Sequence, residues 1–364
     1  MTVFKNNPIY FDETSQNNSS NMREKLLKYI QSVKIEPEDQ KTLKAVTGLE
    51  GHCEMMHMGD IDLRDEMTAC IVQLFDREFA AHPEQHWYLF TPINDVGHTS
   101  DRCPHVALKQ INDNAALAIK ALGAQGFGII EGHPLKAPLD GQPGRSFMFG
   151  GHYVLITETP LDLKAAKSKL AALKLFQCSL GAKPFKLQKI DRTAKDIRRV
   201  ARYIAKMPHS AKNPMPHKKK PGRVLLMDTI KGYRPDFAMR LFEGLSQIAV
   251  PDVILAVGPQ GRALRNALLG HLRTWHRARP KANMLLATFD RWKWWATFRL
   301  KNGSSDYLPF RFDDALFKVR KTRAPKRPGM RRRITSASGS ISTRRRFPPR
   351  RMMLVRKPNG PVSN

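Results

Sequence analysis

The chain is short of four things. It holds no run of 18 consecutive apolar residues, so no segment reads as a membrane-spanning helix. Its opening residues, MTVFKNNPIYFDETSQ, lack the charged start and apolar stretch of a signal peptide. Only four cysteines occur in 364 residues (Cys53, Cys70, Cys103 and Cys178), without disulfide-framework spacing, which points to a cytoplasmic setting. Acids are the fourth scarcity: 32 Asp and Glu stand against 62 Lys and Arg, a net charge of +30 and a pI near 10.3. So large a charge repels itself, and the usual compensating partner is a polyanion, most often nucleic acid. No terminal amphipathic anchor favours a membrane instead. What is present is 41% hydrophobic residues, enough to build a core and two or three domains.

The charge is unevenly spread. Residues 318–357 carry 16 Lys and Arg and no acid, with Arg331, Arg332 and Arg333 in one block and Arg344, Arg345 and Arg346 in another. Such a stretch cannot bury a core, so 318–364 reads as a disordered basic tail. It supplies +16 of the +30 and leaves a body of +14, so the polyanion reading does not rest on the tail alone. A second cationic run, Lys218, Lys219 and Lys220, lies in a proline-rich linker over 212–223. Residues 289–300 interleave Trp292, Trp294, Trp295 and Phe298 with Arg291, Lys293 and Arg299. That pattern serves either as core anchors or as a stacking platform for single-stranded bases.

Residues 1–20 are polar and read as a flexible lead. Over 21–85 the apolar spacing is helical, with Leu26, Leu27, Ile30 and Val33 on one face and Met67, Cys70, Ile71 and Leu74 on another. From 86 the texture changes to strand 86–93, helix 106–124, strands 127–131 and 147–157, helix 163–176 and strand 185–190. A helix over 193–208 follows, opened by Thr193 as N-cap and closed by Pro208, with Ile197, Val200, Ala201 and Ile204 on one face. Adjacent strands joined by a short loop predict an α+β domain over 86–210, a central antiparallel sheet with helices packed on it. A smaller α/β region over 211–317 contributes strand 223–229, helix 236–249, strand 252–257, a GPQG turn and helix 262–277. Arg262 and Arg265 lie on the outward face of that last helix. A strand, GxxG and helix start can cradle phosphate or simply turn the chain.

Three stretches carry chemistry: Trp87-Tyr88-Leu89-Phe90-Thr91 in the first strand, Gly150-Gly151-His152-Tyr153-Val154-Leu155-Ile156 in the third, and Tyr203-Ile204-Ala205-Lys206 in the 193–208 helix. In that order they resemble the HUH endonucleases, the rolling-circle replication initiators, relaxases and related transposases. That family has an apolar-x-x-Thr strand, a His-hydrophobic-His strand and a helix bearing Tyr-x-x-Lys. Only His152 stands where the family has two histidines. The family's further ligand from the preceding strand makes Glu131 and His133 candidates, which alternate onto one strand face. The resemblance thus implies a site of His152, Glu131 and His133 with N and O donors suited to Mn²⁺ or Mg²⁺. It implies Tyr203 as nucleophile on a DNA phosphodiester, leaving a 5′-phosphotyrosyl enzyme that can reseal the nick. It gives Lys206 the task of offsetting phosphate charge or lowering the tyrosine pKa. Arg199 and Arg202 on the same helix would meet the DNA. The implied partners are single-stranded or hairpin-origin DNA of a plasmid, phage or mobile element, and host replication proteins. The alternative is a non-catalytic nucleic-acid-binding protein whose scaffold has lost its metal site. His52, Cys53, His57, His98, Cys103 and His105 match no standard zinc spacing.

The tail reading has a direct consequence. Deleting 318–364 is expected to leave the fold intact while weakening DNA affinity across all sequences and flattening its salt dependence, because counterion release scales with the phosphates neutralised. A titration of Kd against salt for the full and shortened chains checks this.

Overall fold

The computed structural model describes residues 13–32, 37–49, 51–53, 55–137, 145–191, 193–218, 221–229, 233–280, 308 and 310–312. The basic tail, the aromatic stretch 289–300, Lys219 and Lys220 lie outside these. The helices are α1 (Glu13–Ser32), α2 (Pro37–Val46), α3 (Ile61–Ala81), α4 (Leu108–Ala121), α5 (Leu163–Ala172), α6 (Ala194–Ile204), α7 (Pro235–Ser246), α8 (Val250–Val253) and α9 (Gly258–Arg277). The strands are β1 (His86–Pro92), β2 (His98–Ser100), β3 (His105–Val106), β4 (Gln125–Leu135), β5 (Ser146–Thr157), β6 (Phe185–Lys189), β7 (Lys212–Pro216), β8 (Val224–Asp228), β9 (Ile254–Val257) and β10 (Arg311–Phe312).

The architecture is α+β. One sheet runs β6-β1-β5-β4-β7-β8, with β2 pairing to β5 and β9 to β4. Every pairing in it is antiparallel except the single parallel bridge between Leu135 of β4 and Lys212 of β7. The long β4–β5 hairpin is its spine. Helix α6 has a buried stripe of Ile197, Val200, Ala201 and Ile204, and packs on α3 and the sheet. Its start is capped as the sequence suggests, with Thr193 Oγ1 accepting from Asp196 N at 3.1 Å.

The end of that helix differs from expectation. Backbone geometry leaves the helix at Ala205, so Lys206 lies just beyond it. The terminal carbonyls turn to α3 instead: Thr68 Oγ1 donates to Ala205 O at 3.1 Å and Arg64 Nη2 to Lys206 O at 2.7 Å. Helix ends must place such orphan carbonyls somewhere, and here α3 takes them.

Three other boundaries move. The polar lead is helical from Glu13 onward, because Met22 and Leu26 bury and Ser19 Oγ donates to Asp65 at 2.6 Å. The division at 210/211 disappears within the sheet, since β7, β8 and β9 all join the strands of the 86–210 region. An apolar strand of four residues such as β9 is buried only by pairing, and the free edge of β4 offers that. Finally, GPQG is the first turn of α9, and 252–257 divides between α8 and β9. Among the described residues no helix is long and apolar enough to cross a membrane.

The glycines of that first turn serve packing. Gly258 sits at φ +77, a left-handed conformation, and a Cβ at Gly261 would collide with the backbone of Gly126 in β4. The amide of Gln260 is taken by Gln125 Oε1 at 2.7 Å, so it does not await a phosphate. Gly261→Ala is therefore expected to destabilise by about 1–3 kcal/mol through overpacking. Gly270→Ala, exposed in the same helix with nothing within 4 Å, is expected to stabilise by about 0.5–1 kcal/mol. Denaturant melts of the two variants should move in opposite directions.

Candidate metal centre

The β4–β5 register builds the centre. Ile129 pairs with His152, Glu131 with Gly150 and His133 with Met148, so the side chains of Glu131, His133 and His152 share one face and converge. One donor atom from each lies within 4.8 Å of the others. Glu131 Oε2 stands 3.7 Å from His133 Nε2 and 3.9 Å from His152 Nε2. These gaps are too wide for hydrogen bonds and within about 1 Å of the spacing of neighbouring donors around a metal with bonds of about 2 Å. All three residues are buried. Glu131 Oε2 and His152 Nε2 have no hydrogen-bond partner among the described residues. Buried polar atoms are rarely left so, and an ion between them would satisfy both. The cluster can hold a metal ion.

Around it the remaining atoms are engaged. Thr91 Oγ1 lies 3.3 Å from His152 Nδ1, which leaves Nε2 to face the cluster if Nδ1 carries the proton. Arg64, itself buried, donates from Nη2 to Glu131 Oε1 at 3.2 Å. Burial pushes the Glu131 carboxyl up to about 7, against the opposing pull of Arg64, Lys206 and Lys212. Burial, then Lys206 and Lys212, pull His152 down to about 3. Burial, Lys206 and His152 hold His133 well below its ordinary range. Both imidazoles are therefore neutral at physiological pH, the form that binds metal.

Tyr203 joins this group directly. Its ring centroid is 4.4 Å from that of His152, and Lys206 Nζ lies 4.6 Å from the Tyr203 centroid. The ammonium sits over the ring face, and of the two tasks the resemblance gives Lys206, lowering the phenol's pKa is not the one seen. Burial pushes Tyr203 up to about 12, aided by the negative charges of Glu131 and Asp228. Burial and Lys212 also pull Lys206 below its ordinary value.

Comparison with known protein families, curated proteins and solved structures finds no match. What the centre does has to come from its own chemistry.

The other expected residues are more dispersed. Arg199 is exposed and paired with Asp196 at 3.1 Å, and Arg202 is half-buried. On α9, Arg262 is exposed, whereas Arg265 donates to Pro251 O at 3.1 Å instead of standing free. Lys218 is exposed beyond β7. Lys219, Lys220, Arg331, Arg332, Arg333, Arg344, Arg345 and Arg346 lie outside the described residues. The alternative zinc ligands do not assemble: His52 Nδ1 bonds Asp60 at 2.7 Å, and among the described residues Glu131, His133 and His152 form the one group of three able to hold a metal. Two contributors escaped sequence reading. Lys212 was seen only as linker, and Arg64 not at all. Yet Arg64 shares a helical stripe with Met67, Thr68 and Ile71, and a charge within an apolar stripe is a legible signal.

Metal binding should register as stability. Mn²⁺ at 100 times its Kd is expected to stabilise the chain by about 2.7 kcal/mol. His152→Ala should abolish that shift. The sign with pH follows from Glu131: protons compete for its carboxylate, so affinity is full above about 7 and falls as pH drops through that value. The histidines, neutral throughout that window, add no competition. Thermal melts with and without Mn²⁺ between pH 6 and 8, roughly one unit either side of the carboxyl's value, read this out.

Proposed function

We propose that the chain is a DNA replication initiator of a plasmid, phage or mobile element, built like the HUH endonucleases, which nicks and rejoins single-stranded DNA through Tyr203. The observation that carries this reading is the meeting of an unpartnered carboxylate oxygen and an unpartnered imidazole nitrogen beside a tyrosine ring, within a chain of net charge +30. The β1 threonine, β5 histidine and α6 tyrosine stand side by side in space as the resemblance orders them in sequence. The binding-only alternative requires a lost ligand set, and the convergence of Glu131, His133 and His152 weighs against it.

The donor set suits Mn²⁺ or Mg²⁺, held by the Glu131 carboxylate and the two imidazoles. Such an ion supplies Lewis-acid polarisation of a phosphoryl oxygen. The chain's own residues do the rest. Tyr203 Oη forms a bond to phosphorus as the bond from phosphorus to O3′ breaks. The phenol loses its proton, the departing O3′ gains one, and the products are a 5′-phosphotyrosine and a free 3′-hydroxyl. The reverse exchange reseals the strand. Lys206, next to the ring, offsets negative charge gathering on the phosphoryl oxygens. Thr91 and Arg64 fix the orientation of His152 and Glu131. Arg199, Arg202 and Lys218 contribute phosphate contacts that set affinity without reading sequence.

Incubation with end-labelled single-stranded DNA and Mn²⁺, followed by a denaturing gel, should reveal a covalent protein–DNA species. Tyr203→Phe should lose it entirely while changing stability by no more than about 1 kcal/mol. Lys206→Ala should slow its formation by about 10²–10³-fold without abolishing it. An adduct that survives in Tyr203→Phe refutes the nucleophile. No adduct in the wild type across many DNA sequences and metals favours the binding-only protein.

A further inference from the structure

Strands β7 and β8 form a ribbon that is attached at its two ends and loose between them. At its base, Leu135 of β4 pairs with Lys212, Lys136 N donates to Lys212 O at 2.9 Å, and Asp228 accepts from Lys212 at 2.7 Å and from Ser210. At its far end Val224 N donates to Gly181 O at 3.2 Å, in the loop that leads into β6. Between base and tip no residue of either strand is buried. Val224 and Leu226 are half-buried while Leu225 and Met227 are exposed, so the ribbon is only partly covered and is not packed into the core.

The base is anchored on β4, the strand that carries Glu131 and His133, and the tip on the loop before β6. The sheet order places β5 and β1, with His152 and Thr91, between β4 and β6. Three strand spacings separate β4 from β6, about 14 Å, and a five-residue ribbon reaches about 17 Å. The ribbon is thus of the length needed to cross β5 and β1. Its base joins β4 at Leu135, two residues past His133 on the strand that carries two of the three ligands. Asp228 is the sole acid over 212–228, against Lys212, Lys218, Lys219, Lys220 and Arg223.

We propose that the β7–β8 ribbon is a strap that closes over a single DNA strand at the catalytic centre, with the Val224–Gly181 contact as its latch. The inference rests on the single-stranded-DNA reading above and adds how the strand is held and why a duplex is refused. A crossing of about 14 Å between β4 and β6 suits one strand, whereas the two grooves of a duplex are together about 18 Å wide. Lys218 and Arg223, exposed at the ends of the strap's turn, supply sequence-independent grip on the backbone. The latch is a backbone hydrogen bond, weak enough to open for a strand that has no free end.

The latch can be locked. A Cβ at Gly181 would lie 3.8 Å from Val224 Cβ, matching the mean of about 3.8 Å in disulfides. The test uses full-length Gly181→Cys/Val224→Cys, with Tyr203→Phe to keep the DNA uncut and Cys103→Ser and Cys178→Ser to remove the accessible native thiols. The probes are circular single-stranded DNA and the same DNA linearised. Protein oxidised before mixing should fail to load on the circle and recover on reduction. Protein oxidised after loading should stay on the circle in high salt and leave on reduction or linearisation. Equal loading of oxidised and reduced protein on the circle overturns the strap. Because Gly181 sits at φ +75, where cysteine is strained, a second variant removes the strap. It replaces 214–226 with Gly-Gly, joining Asn213 to its cross-strand partner Met227. This variant should lose the preference for single-stranded over duplex DNA, and an unchanged preference also overturns the proposal. If the wild type forms the tyrosyl adduct but locking has no effect, the strap alone falls. If the locked ring behaves as expected but no adduct forms, the nicking reading alone falls.

Discussion

The centre depends on one buried ion pair. Arg64 reaches from α3 to Glu131 in β4 and, through the same nitrogen, to the carbonyl of Lys206 past the end of α6. Three separate elements are thereby fixed to one guanidinium. Burying a carboxylate costs several kcal/mol unless a partner compensates it, and Arg64 compensates only one of the two oxygens. The other faces the histidines. Arg64 Nε and Nη1 find no partner among the described residues, so the pair is not arranged for maximal stability. Its arrangement holds one oxygen and presents the other, as a metal ligand requires.

That dependence explains why the helices before residue 86 belong to the site. Thr68 and Arg64 receive the carbonyls that α6 leaves unpaired, and Asp76 accepts from Arg198 Nε at 2.7 Å further along the same interface. Helix α3 is in effect the bed on which the tyrosine helix lies. Removing it would expose the apolar stripe of α6 and also uncover the Glu131 charge.

Much of this was legible in the sequence because it obeys local rules. The resemblance supplies Glu131, His133 and His152 as ligand candidates and alternation puts the first two on one strand face, while the 3.6-residue period of Ile197, Val200, Ala201 and Ile204 marks α6 with its Thr193 cap. What sequence could not carry is pairing between distant segments. Nothing local in Lys212 says that it bridges to β4, and nothing in 252–257 says that its second half is a strand of the same sheet. The end of α6 was misread for a similar reason. Pro208 seemed to set the boundary, while side chains from a helix more than 130 residues away had already claimed the carbonyls of Ala205 and Lys206. The pKa of Tyr203 is not legible locally, because burial, which depends on the distant α3 and β4, raises it whatever cation stands nearby.

Burial drives each of the five ionisable groups at the centre toward its neutral form. Glu131 and Tyr203 rise, and His133, His152 and Lys206 fall. A site in that condition gains little from an isolated charge of either sign. A cation alone would face Lys206, Lys212 and Arg64, and a phosphate alone would face Glu131 and Asp228. On the proposed reading the two arrive with opposite charges, and each offsets the field that opposes the other. Their binding free energies are then coupled and the coupling is reciprocal, so DNA strengthens metal binding by the same factor as metal strengthens DNA binding. The low dielectric that makes each single charge costly is also what makes that factor large.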